Sequence, residues 1–167
     1  MKEFKRPVLS IPRSELERML EIIAIGGLVF GIFILLQSWS TLPDSIPAHF
    51  KFSGEVDRWG SKMELLLLPG LSLILYLGLT ILSKYPHIYN YAVEITEENA
   101  KRQYHIARTM ICWLKTEIVC IFTFIEWKSI QIALKQATAS DMKFLTIMVV
   151  VVLVTMFYYV LKMFKEK

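Results

Sequence analysis

Four apolar stretches, residues 22–39, 63–82, 110–134 and 144–161, limit what this 167-residue chain can fold into. A bilayer's hydrocarbon core is about 30 Å thick, and a helix rising about 1.5 Å per residue crosses it in about 20 residues, a length each stretch meets or approaches. The apolar share of the chain, 54%, is above the ordinary range for a water-soluble domain. The fourth stretch holds the unbroken run 148–154, whereas the third carries Lys115, Glu117, Glu126 and Lys128. The expected fold class is an all-α integral membrane protein, one domain of four transmembrane helices with a compact loop between the first two. An uncleaved anchor fits the first stretch better than a signal peptide, because residues 1–21 hold four glutamates beside five basic groups.

Lys and Arg in the connecting segments set the orientation, since basic loops stay on the cytoplasmic side. The amino-terminal segment, the 83–109 loop and the tail together hold twelve, while the 40–60 loop with Lys62 and the short loop around 136–141 with its flanking Lys135 and Lys143 hold five. Both termini and the 83–109 loop are therefore expected in the cytoplasm, and the 40–60 loop outside. The net charge of +4 is spread around the spans and not gathered in a separate basic domain, so no nucleic-acid partner is expected.

Local signals predict where helices start and bend. Ser14 with Glu17, and Ser61 with Glu64, have the spacing of a capping box, in which each side chain satisfies a backbone N–H at the helix start. Pro69 inside the second span leaves the carbonyl of Leu65 without its donor and predicts a kink. Pro86 stops that helix, residues 85–95 read as irregular chain, and Thr96 reads as the cap of a third helix that begins before the membrane. Gly27 and Gly31 form a GxxxG pattern that lets a neighbouring helix approach, read as packing within the chain, with a homodimer as the alternative. Cys112 and Cys120 lie about 12 Å apart along one helix, too far for a disulfide, and read as small buried apolar side chains.

Residues 42–62, LPDSIPAHFKFSGEVDRWGSK, form the most informative segment. Pro43 and Pro47 restrict the backbone, residues 49–52 alternate polar with aromatic, and Gly54 offers a turn, so a small hairpin or compact loop is expected. His49, Asp44, Glu55 and Asp57 carry ligand atoms, but catalytic zinc ordinarily takes about three protein ligands and often more than one His. No metal or other cofactor is expected, and the favoured reading has Asp57 or Asp44 orienting His49. No nucleophile stands at a recognisable spacing from His49, so no catalytic residue is assigned.

This segment resembles a bacterial family known as domain of unknown function 1648, through Leu42, Pro43, Asp44, Ile46, Pro47, His49, Phe50, Gly54, Asp57, Trp59, Gly60 and Lys62. Lys51 stands where the family is expected to carry Asn. The resemblance covers 21 residues and implies a bacterial plasma-membrane protein related to Sdp-type immunity proteins, which are longer, protect bacilli from a secreted toxin and can hold a repressor at the membrane. The candidate binding residues are Pro43, Asp44, Pro47, His49, Phe50, Gly54, Asp57, Trp59 and Lys62.

The third span supplies a second set of candidates. At about 100° per residue, Lys115 and Glu126 share one helix face to within about 20°, while Glu117 and Lys128 share nearly the opposite one. Neither pair meets along the helix, so each charge must reach an interface or find a partner on another helix. The two lysines are expected to snorkel, and at least one glutamate to face a polar crevice within the bundle. The function expected is non-enzymatic binding, sensing or toxin immunity through the outer loop, with a peptide toxin or a membrane protein as partner. The alternative is a small proton-coupled transporter using Glu117 or Glu126.

Overall fold

The computed structural model describes residues 6–51, 53–137 and 143–167 and, of Lys143, the backbone alone. Lys2, Lys5, Phe52 and Asp141, and the side chain of Lys143, all used in the readings above, therefore lie outside the described residues. The element order is α1 (Glu15–Ser38), β1 (Ser45–Phe50), β2 (Val56–Ser61), a 3-10 turn (Lys62–Leu66), α2 (Leu67–Leu82), a second 3-10 turn (Pro86–Ile88), α3 (Ala100–Ala133) and α4 (Lys143–Lys165). The fold is thus mostly helical but not all-α, because the loop after α1 folds into a two-stranded antiparallel hairpin.

The expected capping box stands at the start of α1. Ser14 Oγ accepts from the Glu17 N–H at 3.2 Å and the Glu17 carboxylate accepts from the Ser14 N–H at 2.8 Å, the reciprocal box at the head of α1. Thr96 does not itself cap α3: Thr96 and Asn99 satisfy one another's backbone N–H groups at 3.3 and 2.9 Å within a turn, and the helix starts from Asn99, whose side chain makes no capping bond. At the far end of α3 the N–H groups of Lys135 and Gln136 bond to the carbonyls of Ile132 and Gln131, a Schellman ending in which Lys135 takes the left-handed φ of 58°.

The kink expected at Pro69 is replaced by a change of helix type. Ser61 caps the 3-10 turn Lys62–Leu66, and α2 starts afresh at Leu67, which puts Pro69 in the first turn of the new helix. A first-turn N–H has no intrahelical acceptor to lose, so the proline is accommodated without bending a formed helix.

α3 is the central element, packed against α1, α2 and α4. Its 34 residues span about 51 Å and bury fourteen side chains, whereas α2 buries only Ser72. One end of the bundle carries the hairpin over a core of Ile34, Leu35, Leu42, Ile46, Leu65 and Ile130. The opposite end gathers the chain from Arg6 to Ser14, the 83–99 connection and the end of α4, around Ile95, Tyr104, Ile106, Ala107, Tyr159 and Met163. There the half-buried phenols of Tyr89 and Tyr91 are pushed well above the usual tyrosine range by loss of water, and each donates to a backbone carbonyl, of Leu82 and Pro86 respectively.

Among the described residues, three helices are long and apolar enough to cross a membrane: Glu15–Ser38, the 3-10 turn continued by α2 over Lys62–Leu82, and Phe144–Lys165. α3 does not join them by composition, and it is also the helix its neighbours cover most.

Candidate functional site

Apolar motif residues seat the hairpin on the bundle. Leu42 and Ile46 are buried against Ile34, Leu35, Leu65 and Ile130, and Trp39, Ala48, Ala133 and Leu134 pack around them. Burying two such aliphatic side chains contributes about 1.5–3 kcal/mol each, enough to fix a hairpin that would be marginal alone. Pro47 is buried beside them, while Pro43 and Asp44 are exposed before the strand. The strand ends are clamped by the Lys62 N–H bonding to the Asp44 carbonyl at 3.0 Å, with Lys62 Nζ 3.3 Å from the Asp44 carboxylate and 5.7 Å from the centre of the Trp39 ring.

Two glycines of the motif have separate physical reasons. Gly54 turns the hairpin at φ 89°, a left-handed conformation that a side chain disfavours. Gly60 is required by closeness: a Cβ there would lie 2.8 Å from the Ala48 Cβ and 2.1 Å from a Glu64 carboxylate oxygen. That carboxylate is held by the Arg58 guanidinium at 3.1 and 2.7 Å, a two-pronged pair that raises the pKa of Arg58.

The outward side of the hairpin presents His49, Asp57 and Trp59. His49 Nδ1 donates to Asp57 Oδ2 at 3.0 Å, so of the two carboxylates expected to orient the imidazole it is Asp57 that does so. The pairing is locally irregular, with His49 opposite Arg58, while Pro47–Trp59 and Phe50–Val56 flank it in regular register. Trp59 keeps 55% of its surface exposed. Phe50 turns inward to a cleft of about 250 Å³ between hairpin, α2 and α3, where Arg58, Glu64, Leu68 and Ser129 also stand.

The charges of α3 are handled differently from one another. Lys115 does not snorkel: it is 1% exposed, and its ammonium bonds to Glu21 at 2.7 Å and Thr80 at 2.9 Å with the Tyr76 ring 4.8 Å away. Tyr76 donates to the other oxygen of Glu21, and Arg13 approaches that carboxylate at 3.7 Å, so one glutamate ties α1, α2 and α3 together. Lys128 is half-buried and lies 4.8 Å from the Trp127 ring centre. Glu117 accepts from Thr155 of α4 at 2.7 Å with one oxygen, while its other is buried without a partner. Glu126, 1% exposed, also keeps one unpartnered oxygen, and its other lies where a Cβ on Gly31 would come within 2.9 Å. The groove that Glu117 borders is lined almost wholly by apolar side chains.

Sequence reasoning missed the most heavily bonded ion pair. Arg108, counted only as an orientation charge, meets Glu17 through two contacts of 2.8 Å and also donates to the carbonyls of Ile11 and Pro12 at 2.7 Å each. Thr109 donates to the same glutamate at 3.2 Å. A signal for it was present: Arg108, Cys112, Thr116, Val119, Thr123, Glu126 and Ile130 recur at spacings of three and four, marking a small and polar seam down one face of α3. Gly27 and Gly31 meet that seam within the chain, with Thr123 donating to the Gly27 carbonyl at 3.1 Å and Thr116 Oγ1 3.1 Å from the Leu20 carbonyl.

An uncharacterized protein of Archaeoglobus fulgidus is 38% identical over 63 residues, covering 33% of this chain and 34% of that protein. The chain thus matches about a third of the archaeal relative, and no solved structure matches it. Residues 26–73, from the second half of α1 through the hairpin into the first turns of α2, match the family model described as Domain of unknown function (DUF1648).

Proposed function

We propose that the chain is a non-enzymatic, multi-pass plasma-membrane protein that uses its hairpin as a recognition surface outside the cell. α3 is the fourth span, its charges shielded by the three apolar helices, and both termini are cytoplasmic. The observation that carries this reading is the division of labour in the hairpin: Leu42, Ile46 and Pro47 are buried, while Trp59 and the His49–Asp57 pair are presented outward. A rigidly mounted aromatic beside a hydrogen-bonding pair is the composition of an interaction hot spot. The partner this chemistry fits is a peptide or the outer segment of a membrane protein, and the resemblance to Sdp-type immunity proteins makes a secreted peptide toxin the first candidate.

The test is survival of a host lacking the gene, complemented with the native chain or with His49→Ala/Trp59→Ala at equal membrane abundance and exposed to the host's own secreted peptides. Loss of an aromatic anchor is worth about 1.4 kcal/mol or more, so about tenfold more peptide should be tolerated by cells carrying the native chain. Equal survival with both would remove the reading.

A second reading, proton-coupled transport, is supported by Glu126, a buried carboxylate with an unpartnered oxygen on the α1–α3 seam. Glu17 and Glu21 line a cleft of about 210 Å³ at the opposite end of the bundle from the hairpin. Between the two ends the same seam carries Thr116 and Thr123. Proton flux in vesicles that Glu126→Gln leaves unchanged would remove it.

A further inference from the structure

We propose that the groove between α1, α3 and α4 is a binding site for lipophilic organic cations, with Glu117 as the counter-charge. The groove has a volume of about 300 Å³, and its walls include Leu20, Ile23, Trp113, Phe144, Met148 and Val151. Among the described residues Glu117 is the one acidic side chain lining it. Elsewhere along the helices Arg108 is paired with Glu17 and Lys115 with Glu21, and the other carboxylate with an unpartnered oxygen, Glu126, is 1% exposed and does not line this groove. Among the described residues no cationic side chain pairs with Glu117, which has only the Thr155 hydroxyl on one oxygen.

The chemistry of the walls selects the occupant. An acyl chain would fill the volume and leave the carboxylate unpaired, and burying an unpaired polar group is costly. A bare metal cation needs about six oxygen ligands in the case of calcium or magnesium, and the groove offers far fewer. A strongly hydrated cation would surrender its water to an apolar wall. An organic cation with an aromatic or alkyl body satisfies both parts at once, its charge against Glu117 and its body against Phe144, Met148 and Val151. Trp113 stands one helical turn from Glu117 on the same wall and offers the aromatic face that attracts such cations. A volume near 300 Å³ lies at the small end of ligand pockets and suits a compact molecule entering sideways from the lipid.

This site deepens the transport reading by naming a substrate class, but equilibrium binding and proton flux are separate measurements and either can fail alone. The experiment is equilibrium dialysis of tetraphenylphosphonium against the full chain in nanodiscs, with tetraphenylborate as the probe of like shape and opposite charge. Saturable binding of the cation is expected, weakened about tenfold or more by Glu117→Gln. Met148→Trp, which fills the groove, should weaken it as well. Leu153→Ala, on the outward surface of α4, should bind as the native chain does. Glu117→Gln removes a buried unpaired carboxylate oxygen, so the variant should keep its helical circular dichroism and remain a valid comparison. Unchanged affinity in Glu117→Gln, or tetraphenylborate binding as tightly as the cation, would overturn the proposal and leave a groove that holds apolar matter only.

Discussion

Arg108→Met is expected to destabilise the chain by about 3–5 kcal/mol, the scale for breaking a buried ion pair by removing one partner. The loss arises on the side that remains. Glu17 is 1% exposed, and without the guanidinium its carboxylate keeps only the Ser14 backbone N–H, the Thr109 hydroxyl and a distant His105 Nδ1 at 3.9 Å. The carbonyls of Ile11 and Pro12 lose their donor in the same step, which frees the amino-terminal strap from α3. Denaturation in mixed micelles measures the effect. Adding Glu17→Gln to Arg108→Met should recover part of the loss, because a neutral amide no longer leaves a bare buried charge. A single variant as stable as the native chain would show that the pair is not desolvated.

Gly31→Leu is the second large effect, expected to cost about 1–3 kcal/mol or more by overpacking the α1–α3 contact. Even a Cβ at this position would lie 2.9 Å from a Glu126 oxygen and 3.5 Å from Thr123 Oγ1, and a leucine adds three carbons beyond it. Glu126 has no open space into which to retreat, being 1% exposed. Gly26→Leu, one turn away on the open side where nothing lies within 4 Å of a Cβ, is the comparison that isolates packing from helix propensity. Parallel micelle denaturation of the two variants checks this, and equal stabilities would contradict the assigned seam.

Much of the helical frame was legible because its causes are local or periodic. Apolar length marked α1, α2 and α4, the Ser14–Glu17 box placed the start of α1, and the Gly27–Gly31 spacing announced a close helix contact. Pro69 misled because the sequence does not show that the helix is re-initiated two residues before it, after a 3-10 turn. The hairpin was legible from its prolines and Gly54, and so was a carboxylate orienting His49, but the choice of Asp57 over Asp44 is made only by the folded hairpin. Gly60 was not, since its necessity comes from Ala48 and Glu64, which only the folded hairpin brings against it.

The charges of α3 show where one-dimensional reasoning stops. Snorkelling was the natural fate for Lys115 judged from its own helix, yet its partner Glu21 is 94 residues away, on α1. Helical periodicity gives the face a charge occupies; which element covers that face is a tertiary fact. Covered faces also explain how a helix this polar stands among apolar neighbours, because Arg108 and Lys115 of α3 are paired with Glu17 and Glu21 of α1.

The central claim, four crossings with the hairpin outside and the 83–99 connection inside, is tested most directly by labelling single cysteines with a membrane-impermeant maleimide on intact cells. The background is a chain in which Cys112 and Cys120 are replaced by alanine, since both native cysteines are free. Ser53→Cys at the hairpin tip should label on whole cells, and Glu97→Cys before α3 should label only after the membrane is opened. Labelling of Glu97→Cys on intact cells, with Ser53→Cys protected, would contradict the arrangement proposed here.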